Sequence, residues 1–373
     1  MKAITLVPGT TTLRLLERPE PAIGAADDVK LQVLQVGICG TDREEAAGGR
    51  AAAPPGQEDL IIGHEMIGRV VEAGSAVTTV RPGDHALFTV RRECGHCVAC
   101  AVQRSDMCYT GDYADRGISL RDGYQAEYVV DSERYVVKVP EEIASIAVLC
   151  EPMSIVQKAI DEAFLIQTAR LPDADARGDW LAGKQALVAG LGPVGLLAVF
   201  ALRLRGANVL GLDVIDAGNE RAKLLVESGG IYVDGRQDRP DMLDDRFGQI
   251  DLIIEAAGVP HLEFDLLSAL GRNGVYVVVG IPGGDRMIDI DGAAIVRSLV
   301  LGNQVMLGSV NASRRHFDLA IQDLTKASRT WNGAVERLIT HRLPYVQFED
   351  ALNTHPADEI KTVLEWVPGD RAG

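Results

Sequence analysis

Four of the six cysteines of the chain are crowded into one short segment. They follow the spacing Cys-x2-Cys-x2-Cys-x7-Cys and are Cys94, Cys97, Cys100 and Cys108. Four thiolates in a compact loop can complete a tetrahedral zinc shell, and a shell without an open position has a structural role. An iron–sulfur cluster is the weaker alternative, because no Cys-Pro pair follows and the last gap is long. The segment therefore predicts a structural zinc site rather than a disulfide framework.

A second set of possible metal ligands is spread over three separate segments. Cys39 lies in the run Gly-Ile-Cys-Gly-Thr-Asp, His64 and Glu65 are adjacent, and Glu151 stands before Pro152. Thiolate, imidazole and carboxylate are the ligands that a catalytic zinc takes when it keeps one position open. The residues alone leave open whether Glu151 binds the metal or is simply an acid at the start of a helix.

The third motif is a glycine-rich run, Gly190-Leu191-Gly192-Pro193-Val194-Gly195. It follows a predicted strand and opens a predicted helix, which is the context in which this pattern binds a dinucleotide pyrophosphate. Gly192 lets the backbone approach the ligand, and the N–H groups of the helix N-terminus attract its negative charge. Asp213 ends the next predicted strand, where a carboxylate can accept hydrogen bonds from the adenosine ribose.

The turn after that strand also predicts which nicotinamide cofactor is bound. Asp213 and Asp216 stand where the 2′-phosphate of NADP would lie, and carboxylates repel such a dianion. We therefore expect NAD rather than NADP. Arg221 and Arg236 are the cations that could still reach a phosphate from the neighbouring segments.

Two kinds of chain must position these groups. Residues 1–140 predict mostly β structure, with a period-two strand at 31–36 and further short β runs at 66–71 and 126–130. After a helix over 153–166, strands and helices alternate, which predicts an α/β region with a doubly wound parallel sheet. The predicted strands are 186–189, 209–212, 231–233, 252–255, 275–279 and 305–307, and the predicted helices are 194–205, 219–228, 261–270 and 292–301. Nearer the end we expect a helix over 317–326 and a strand over 361–366.

Composition excludes several classes of protein. The chain has 373 residues, of which 47% are hydrophobic and 24% charged, so it is long and apolar enough for two or three folded domains. Its net charge of −16 argues against a nucleic-acid partner. No targeting segment is visible, and the glycines and proline of the uncharged stretch 185–202 favour a soluble strand–turn–helix over a membrane span. We expect a cytoplasmic protein with no membrane partner.

Together the motifs resemble those of the zinc-dependent medium-chain alcohol dehydrogenases over nearly the whole chain. The chain looks most similar to the microbial glucose (aldose) 1-dehydrogenases. That narrower resemblance rests on segments 90–92, 117–118, 151–155 and 308–311. It implies a GroES-like, mostly-β catalytic domain at 1–155 and 310–373, with a structural zinc lobe at 94–108. It also implies a Rossmann domain with a six-stranded parallel sheet at 156–309, and a homodimer or homotetramer.

The resemblance also implies roles at the metal. A catalytic zinc is expected on Cys39 and His64, besides the structural zinc, and Glu65 and Glu151 are each a ligand or a water-bridged partner. Thr41 is expected to hydrogen-bond the reacting hydroxyl.

For the substrate, the resemblance implies sugar contacts from Asp115, Glu151 and Asn311. Two departures from the pattern concern the sugar, because Asp115 is shorter than the Glu of many relatives and Val90 replaces an Asn. The relay His of many alcohol dehydrogenases is also missing, since Arg43-Glu44-Glu45 stands at its place.

The implied reaction is hydride transfer from the anomeric C1 hydroxyl of an aldose to NAD(P), giving an aldonolactone. Zinc lowers the pKa of the hydroxyl, and Glu65, Glu151 or a zinc-bound water passes the proton outward. Two alternatives stay open. One is a polyol or secondary-alcohol dehydrogenase of the sorbitol type, whose pattern segment 151–154 also resembles. The other is a non-catalytic nucleotide-binding protein, which the presence of Cys39 and His64 opposes.

Overall fold

The computed structural model describes residues 1–174, 180–283 and 287–367. They divide into two compact units. The first unit contains Met1–Ser154, Asn311–Ser328 and the residues from Val335 onward, and the second contains Ile155–Val310 and Arg329–Ala334. The last part of the predicted catalytic domain, residues 368–373, lies outside the described residues.

The strands, in chain order, are β1 Lys2–Leu6, β2 Leu13–Glu17, β3 Asp28–Ile38, β4 Leu60–Ile61, β5 Glu65–Ala73, β6 His85–Phe88, β7 Arg91–Arg92, β8 Ala114–Arg116, β9 Leu120–Arg121, β10 Tyr128–Ser132, β11 Val136–Val139, β12 Gln185–Ala189, β13 Asn208–Asp213, β14 Ile231–Asp234, β15 Ile250–Glu255, β16 Leu270–Val278, β17 Val305–Gly308, β18 Ile339–Pro344 and β19 Lys361–Glu365.

The α-helices are α1 Gly40–Ala46, α2 Val98–Ala101, α3 Cys150–Arg170, α4 Pro193–Leu204, α5 Glu220–Glu227, α6 Leu243–Phe247, α7 Pro260–Asp265, α8 Gly292–Gly302, α9 Arg314–Thr330 and α10 Phe348–Asn353. Short 3-10 helices occur at Ser105–Met107, Glu133–Tyr135, Glu141–Leu149, Pro240–Met242, Leu266–Ser268, Glu336–Leu338 and Tyr345–Gln347.

The first unit is built around a mostly antiparallel sheet in the order β11-β6-β5-β3-β19-β18, with β10 also paired to β3. Strand β3 lies in its middle because the alternating apolar side chains of its first half pack into the core. Its neighbours β5 and β19 place Glu65 opposite Gly37 and Thr362 opposite Ile38. The end of β3, the start of β5 and the start of β19 therefore meet at one place.

The second unit contains the doubly wound sheet, in the order β14-β13-β12-β15-β16-β17 with every neighbouring pair parallel. The six predicted strands are confirmed, and so are the predicted helices that correspond to α4, α5 and α8. The prediction of one helix over 261–270 is wrong in its second half. Helix α7 ends at Asp265, a 3-10 turn follows, and Leu270 already begins β16 and pairs with Ile250.

The glycine-containing stretch 185–202 forms β12 and most of α4, as expected for a strand–turn–helix. A different segment, Glu141–Arg170, is long and apolar enough to cross a membrane by length and composition. Its most apolar window has a mean hydropathy of 1.4, and 78% of that window is buried inside the structure. Burial of this degree is what a core helix shows.

Candidate active site

Cys39, His64 and Glu65 converge at the meeting point of β3, β5 and β19. The Cys39 Sγ lies 3.2 Å from the His64 Nε2. The thiol, imidazole and carboxylate ligand atoms of the three residues all lie within 4.8 Å of one another. The sequence could place Cys39 and His64–Glu65 only on separate strands. The register of β3 against β5 brings them together as a mixed set of metal ligands.

Glu65 of this cluster also forms a buried ion pair. The Lys361 Nζ contacts the Glu65 Oε2, and both side chains are almost fully buried. Gly37 leaves room for the pair, because a Cβ there would stand 2.1 Å from that oxygen and 2.9 Å from the Lys361 Cε. Lys361 reaches Glu65 because β19 pairs with β3. Neither its residue type nor its position along the chain indicated this role.

Asp42 holds the other side of the cluster. Cys39 is the N-cap of α1: its Sγ accepts from the Thr41 N–H at 3.2 Å, and its own N–H donates to the Asp42 Oδ2 at 2.8 Å. The remaining Asp42 oxygen lies 3.5 Å from the His64 Nδ1. A carboxylate behind a histidine fixes the ring and leaves its other nitrogen for a metal. Thr41 lies half-buried in the same turn.

The charges at this site suit a divalent cation. Burial and Asp42 raise the pKa of the Cys39 thiol. Burial lowers the pKa of His64, but Cys39 and Asp42 outweigh it, and the net pKa lies well above its ordinary value. Burial and Asp42 also raise the pKa of Glu45 to about 9. An excess of acidic groups is thus confined in a small buried volume. Zinc fits this donor set, because it takes sulfur, nitrogen and oxygen ligands together.

Among the described residues, the ligand atoms that lie within 4.8 Å of one another belong to Cys39, His64 and Glu65 and do not include Glu151. Glu151 is nevertheless close enough to interact electrostatically with His64 and Glu65. Burial raises the pKa of Glu151 to about 7, with His64 acting to lower it and Glu65 to raise it. The residue stands in the first turn of α3, which continues without a break from the 3-10 helix Glu141–Leu149. Helix α3 therefore has no free N-terminal N–H groups at Glu151 for an acidic side chain to cap.

The four cysteines of the motif Cys-x2-Cys-x2-Cys-x7-Cys form a separate cluster, here called the four-cysteine lobe (residues 94–108). Their sulfur atoms all lie within 4.8 Å of one another. The sulfurs of Cys97 and Cys100 lie 3.3 Å apart, and those of Cys94 and Cys100 lie 3.8 Å apart. Hydrogen bonding, first from the Thr110 hydroxyl, lowers the pKa of Cys94 to about 5. Four thiols at this spacing fit a closed zinc shell.

Two of the three predicted sugar contacts, Asp115 and Asn311, also meet, although 196 positions separate them in the chain. The Asn311 Nδ2 donates to the Asp115 Oδ1 at 3.0 Å. Asp115 is held further by Arg91, whose Nε and Nη2 donate to its two oxygens at 3.0 Å each. Asn311 has a φ of 62°, a left-handed conformation that Asn tolerates better than most residues. Segment 90–92 contributed to the family resemblance, but it did not predict the ion pair between Arg91 and Asp115.

In the second unit, the glycine-rich run forms the turn between β12 and α4. Gly190 has a φ of 86°, and a Cβ at Gly195 would stand 1.8 Å from the Gly190 oxygen. A Cβ at Gly192, the N-cap of α4, would meet no atom within 4 Å. Gly190 and Gly195 thus need to be glycine for the turn itself. Gly192 leaves open space at the N-terminus of α4, which fits a pyrophosphate.

Asp213 lies beside this turn. Its Oδ2 accepts from the Leu191 N–H and its Oδ1 from the Val214 N–H, both at 2.7 Å. Nearby, Arg236 donates through Nη1 to the Asp216 Oδ1 at 2.8 Å and through Nε and Nη2 to the two Asp234 oxygens at 2.8 Å each. Carboxylates therefore engage Arg236, one of the cations that the sequence left as a possible phosphate ligand.

Two family profiles match the chain. Residues 25–141 match the alcohol dehydrogenase GroES-like domain, and residues 144–366 match the glucose dehydrogenase C-terminus.

Relatives match over the full length. The chain is 39% identical to glucose 1-dehydrogenase 2 of Vulcanisaeta moutnovskia, over 98% of this chain and 99% of that protein. It is 38% identical to glucose 1-dehydrogenase 1 of Caldivirga maquilingensis, over 99% of each chain. A solved structure of Haloferax mediterranei glucose dehydrogenase in complex with NADP, Zn and gluconolactone matches with a TM-score of 0.87 and 32% identity, over 99% of this chain and 100% of that one.

Proposed function

The chain belongs to the glucose dehydrogenases among the zinc-dependent medium-chain alcohol dehydrogenases, and from this we propose that it oxidises an aldose at its anomeric C1 hydroxyl with NAD(P), giving the aldonolactone. The observation that carries the proposal is the buried Cys39–His64–Glu65 cluster in a chain that also contains an open glycine-rich turn before α4. One feature supplies a metal site, and the other supplies a nucleotide site.

The residues of the first unit would bind zinc and orient the sugar. Cys39 and His64 would hold the metal, with Glu65 or Glu151 as the carboxylate ligand, and when bound it lowers the pKa of the substrate hydroxyl. Thr41 is placed in the same turn as Cys39 to hydrogen-bond that hydroxyl. The carboxylate that is not a ligand would carry the released proton towards solvent.

Asp115 and Asn311 would fix the remaining sugar hydroxyls. Their mutual hydrogen bond and the ion pair of Asp115 with Arg91 hold both side chains before substrate arrives, so little orientation is lost on binding. The nicotinamide, when bound, accepts the hydride. Gly190, Gly192, Pro193, Val194, Gly195 and Asp213 would bind the cofactor through backbone N–H groups, the α4 N-terminus and a ribose contact.

We assign catalysis to the first unit and cofactor binding to the second, and we assign the four-cysteine lobe to a structural zinc. The lobe contains no donor other than thiols within the cluster of ligand atoms. The His96 Nδ1 donates instead to the Cys94 backbone oxygen, 2.9 Å away. A closed set of four thiolates leaves a substrate no place on the metal.

The proposed cofactor is NAD rather than NADP. Asp213 lies at the end of β13, and Asp216 and Asp234 engage Arg236, so the charges at this edge disfavour a 2′-phosphate. Comparison of kcat/KM for NAD and NADP with one sugar tests this assignment, in the wild type and in Asp213→Ala. Preference of the wild type for NADP would refute it, and an unchanged preference for NAD in Asp213→Ala would assign the selection to another group.

We further propose a cytoplasmic homodimer or homotetramer. Strand β17 is the last in its sheet order, and among the described strands it pairs only with β16. Helix α8, which packs against the neighbouring strand β16, exposes Val296, Val300 and Leu301. An open strand edge next to apolar side chains is a surface that a second copy can cover. Light scattering after gel filtration measures the mass directly, and a monomer would contradict this part of the proposal.

The deciding experiment is absorbance of reduced nicotinamide with zinc-loaded protein, using a panel of aldoses and polyols with each cofactor. Highest kcat/KM on an aldose, with lactone as the product, supports the proposal. Highest kcat/KM on a polyol would favour a sorbitol-type dehydrogenase, and no reduction with any alcohol or sugar would favour a nucleotide-binding protein without catalysis.

A further inference from the structure

Arg91 is the buried side chain at which the four-cysteine lobe meets the proposed sugar contacts. It lies on β7, three residues before the first cysteine of the lobe, and directly opposite Asp115 on β8. Residues opposite each other in an antiparallel pair place their side chains on the same face of the sheet. Arg91 and Asp115 form a two-point ion pair there, with both side chains largely buried.

The lobe contacts the other sides of the same guanidinium. The Arg91 Nη1 donates to the backbone oxygen of Asp106, within the lobe, at 3.4 Å. The Arg91 Cζ lies 3.6 Å from the ring centroid of Tyr113, just after the last cysteine. The Asp106 side chain accepts in turn from Arg104 at 2.9 to 3.3 Å. The position of Arg91 is thus set by Asp106 of the lobe and by Tyr113, which follows the lobe in the chain.

We propose that Arg91 is a positioning residue through which the four-cysteine lobe sets the sugar site. The lobe holds Arg91, Arg91 fixes both oxygens of Asp115, and Asp115 fixes the amide of Asn311. Asp115 is one methylene shorter than Glu, so its reach towards a sugar depends on where Arg91 holds it. This inference rests on the proposed function, because it takes Asp115 and Asn311 as the sugar contacts.

Arg91→Lys removes the planar two-point contact while keeping the charge. Loss of a charge-assisted hydrogen bond corresponds to about 10–100-fold in binding, so we expect KM for the aldose and Kd for its lactone to rise by that factor. KM for NAD and kcat at saturating sugar should change little, because neither depends on how Asp115 is oriented. Lactone binding is measured by calorimetry and does not depend on turnover.

Arg92→Lys is the matched control. Arg92 is the next residue on β7 and points to the other face, where it donates to the Asp131 Oδ2 at 2.9 Å. The same chemical change there should lower the melting temperature and leave the sugar KM unchanged. A second variant, Tyr113→Leu, removes the ring against Arg91 without touching an ion pair, and should raise the sugar KM by about 2–5-fold.

The outcomes separate the inference from the proposed function. Oxidation of an aldose by the wild type, with a sugar KM raised in Arg91→Lys and Tyr113→Leu but not in Arg92→Lys, supports the inference. The same wild-type activity with an unchanged sugar KM in Arg91→Lys and Tyr113→Leu overturns it and leaves the function standing. A wild type that neither oxidises an aldose nor binds a lactone overturns the proposed function, and the inference with it.

Discussion

The two cysteine-containing clusters of the first unit are built in opposite ways. The four-cysteine lobe takes all its ligand atoms from 15 consecutive positions, Cys94 to Cys108, and all of them are sulfur. The mixed centre of Cys39, His64 and Glu65 takes its atoms from two strand ends. Behind it lie a carboxylate, Asp42, and a buried ammonium, that of Lys361.

This difference shows what each cluster depends on. The four cysteines of the lobe are close together in sequence, and we expect a bound metal to be what holds their sulfur atoms together. The mixed centre is assembled by the sheet and supported by the buried side chains of Asp42 and Lys361, so the fold holds its ligands before a metal arrives. We therefore expect the lobe to govern stability and the mixed centre to govern turnover.

The largest effects should come from substituting one ligand in each cluster. Cys39→Ala should abolish turnover with a small change in melting temperature, because the ligands of the mixed centre are held by β3 and β5. Cys97→Ala should lower the melting temperature strongly, because the lobe loses its closed shell. Metal analysis should give two zinc ions per chain in the wild type and one in each variant.

Chelation provides the control for this pair. A centre with an open position exchanges its metal more readily than a closed shell, so mild chelation should remove activity before the protein unfolds. One zinc or none per chain in active wild type would contradict the two-site assignment. A Cys97→Ala variant of normal stability would remove the distinction between the two clusters.

The next largest effect should come from Lys361→Met. The variant leaves the buried Glu65 carboxylate without its cation, which typically costs about 3–5 kcal/mol. Urea denaturation without added zinc measures the free energy of unfolding. The double variant Lys361→Met with Glu65→Gln should recover much of the loss, because no buried charge is then left unpaired. Equal loss in both variants would show that Lys361 acts through its packing.

The sequence predicted all six strands of the parallel sheet in the second unit. Its six strands are short apolar runs separated by helices, and local pattern is enough to find them. The N-terminal part of β16 was missed because it contains Gly271, Asn273 with a φ of 60°, and Gly274, all typical of turns. Its pairing with β15, which no local pattern can show, makes it a strand.

In the first unit, the four-cysteine lobe could be identified because its spacing is local. Lys361 and Arg91 could not, because their roles depend on strand pairing across long stretches of chain. Lys361 reaches Glu65 only through the β19–β3 pair, and Arg91 meets Asp115 only because the two- and three-residue strands β7 and β8 pair around the lobe. Residue type alone marks both as ordinary cations.

A pH-dependent change in stability should come from Asp131 on β10, which forms ion pairs with Arg92 and Arg116. Its carboxylate accepts from the Arg92 Nε at 2.9 Å and the Arg116 Nε at 2.7 Å. Burial acts to raise the pKa of Asp131, but Arg116 and Arg92 outweigh it and hold the pKa at about 2. Against an unfolded value of about 3.9, this corresponds to about 2–3 kcal/mol of stability.

The sign follows from the lowered pKa. The contribution is complete above pH about 4 and is lost as the pH falls through about 2, because the unfolded chain binds the proton more readily. The unfolding free energy of the wild type, minus that of Asp131→Asn, should therefore shrink from pH 5 towards pH 2. Subtracting the two curves removes the loss of zinc that acid also causes. A difference that stays constant over this range would contradict a pairing of this strength.

The smallest effect should come from Glu151→Ala, which tests how far the mixed centre extends. Loss of a carboxylate at a zinc site typically costs 10–100-fold in metal affinity or activity. Loss of a helix cap would instead cost about 1 kcal/mol of stability. The structure favours the first result, because the 3-10 helix runs directly into α3 and the Cys150 N–H already donates to the Ala147 oxygen.

Glu220→Ala is the matched control, since Glu220 lies in the first turn of α5 after the cap Asn219. Glu220→Ala should lower the free energy of unfolding slightly and leave turnover unchanged. Near-normal turnover of Glu151→Ala at saturating zinc would confine the centre to Cys39, His64 and Glu65.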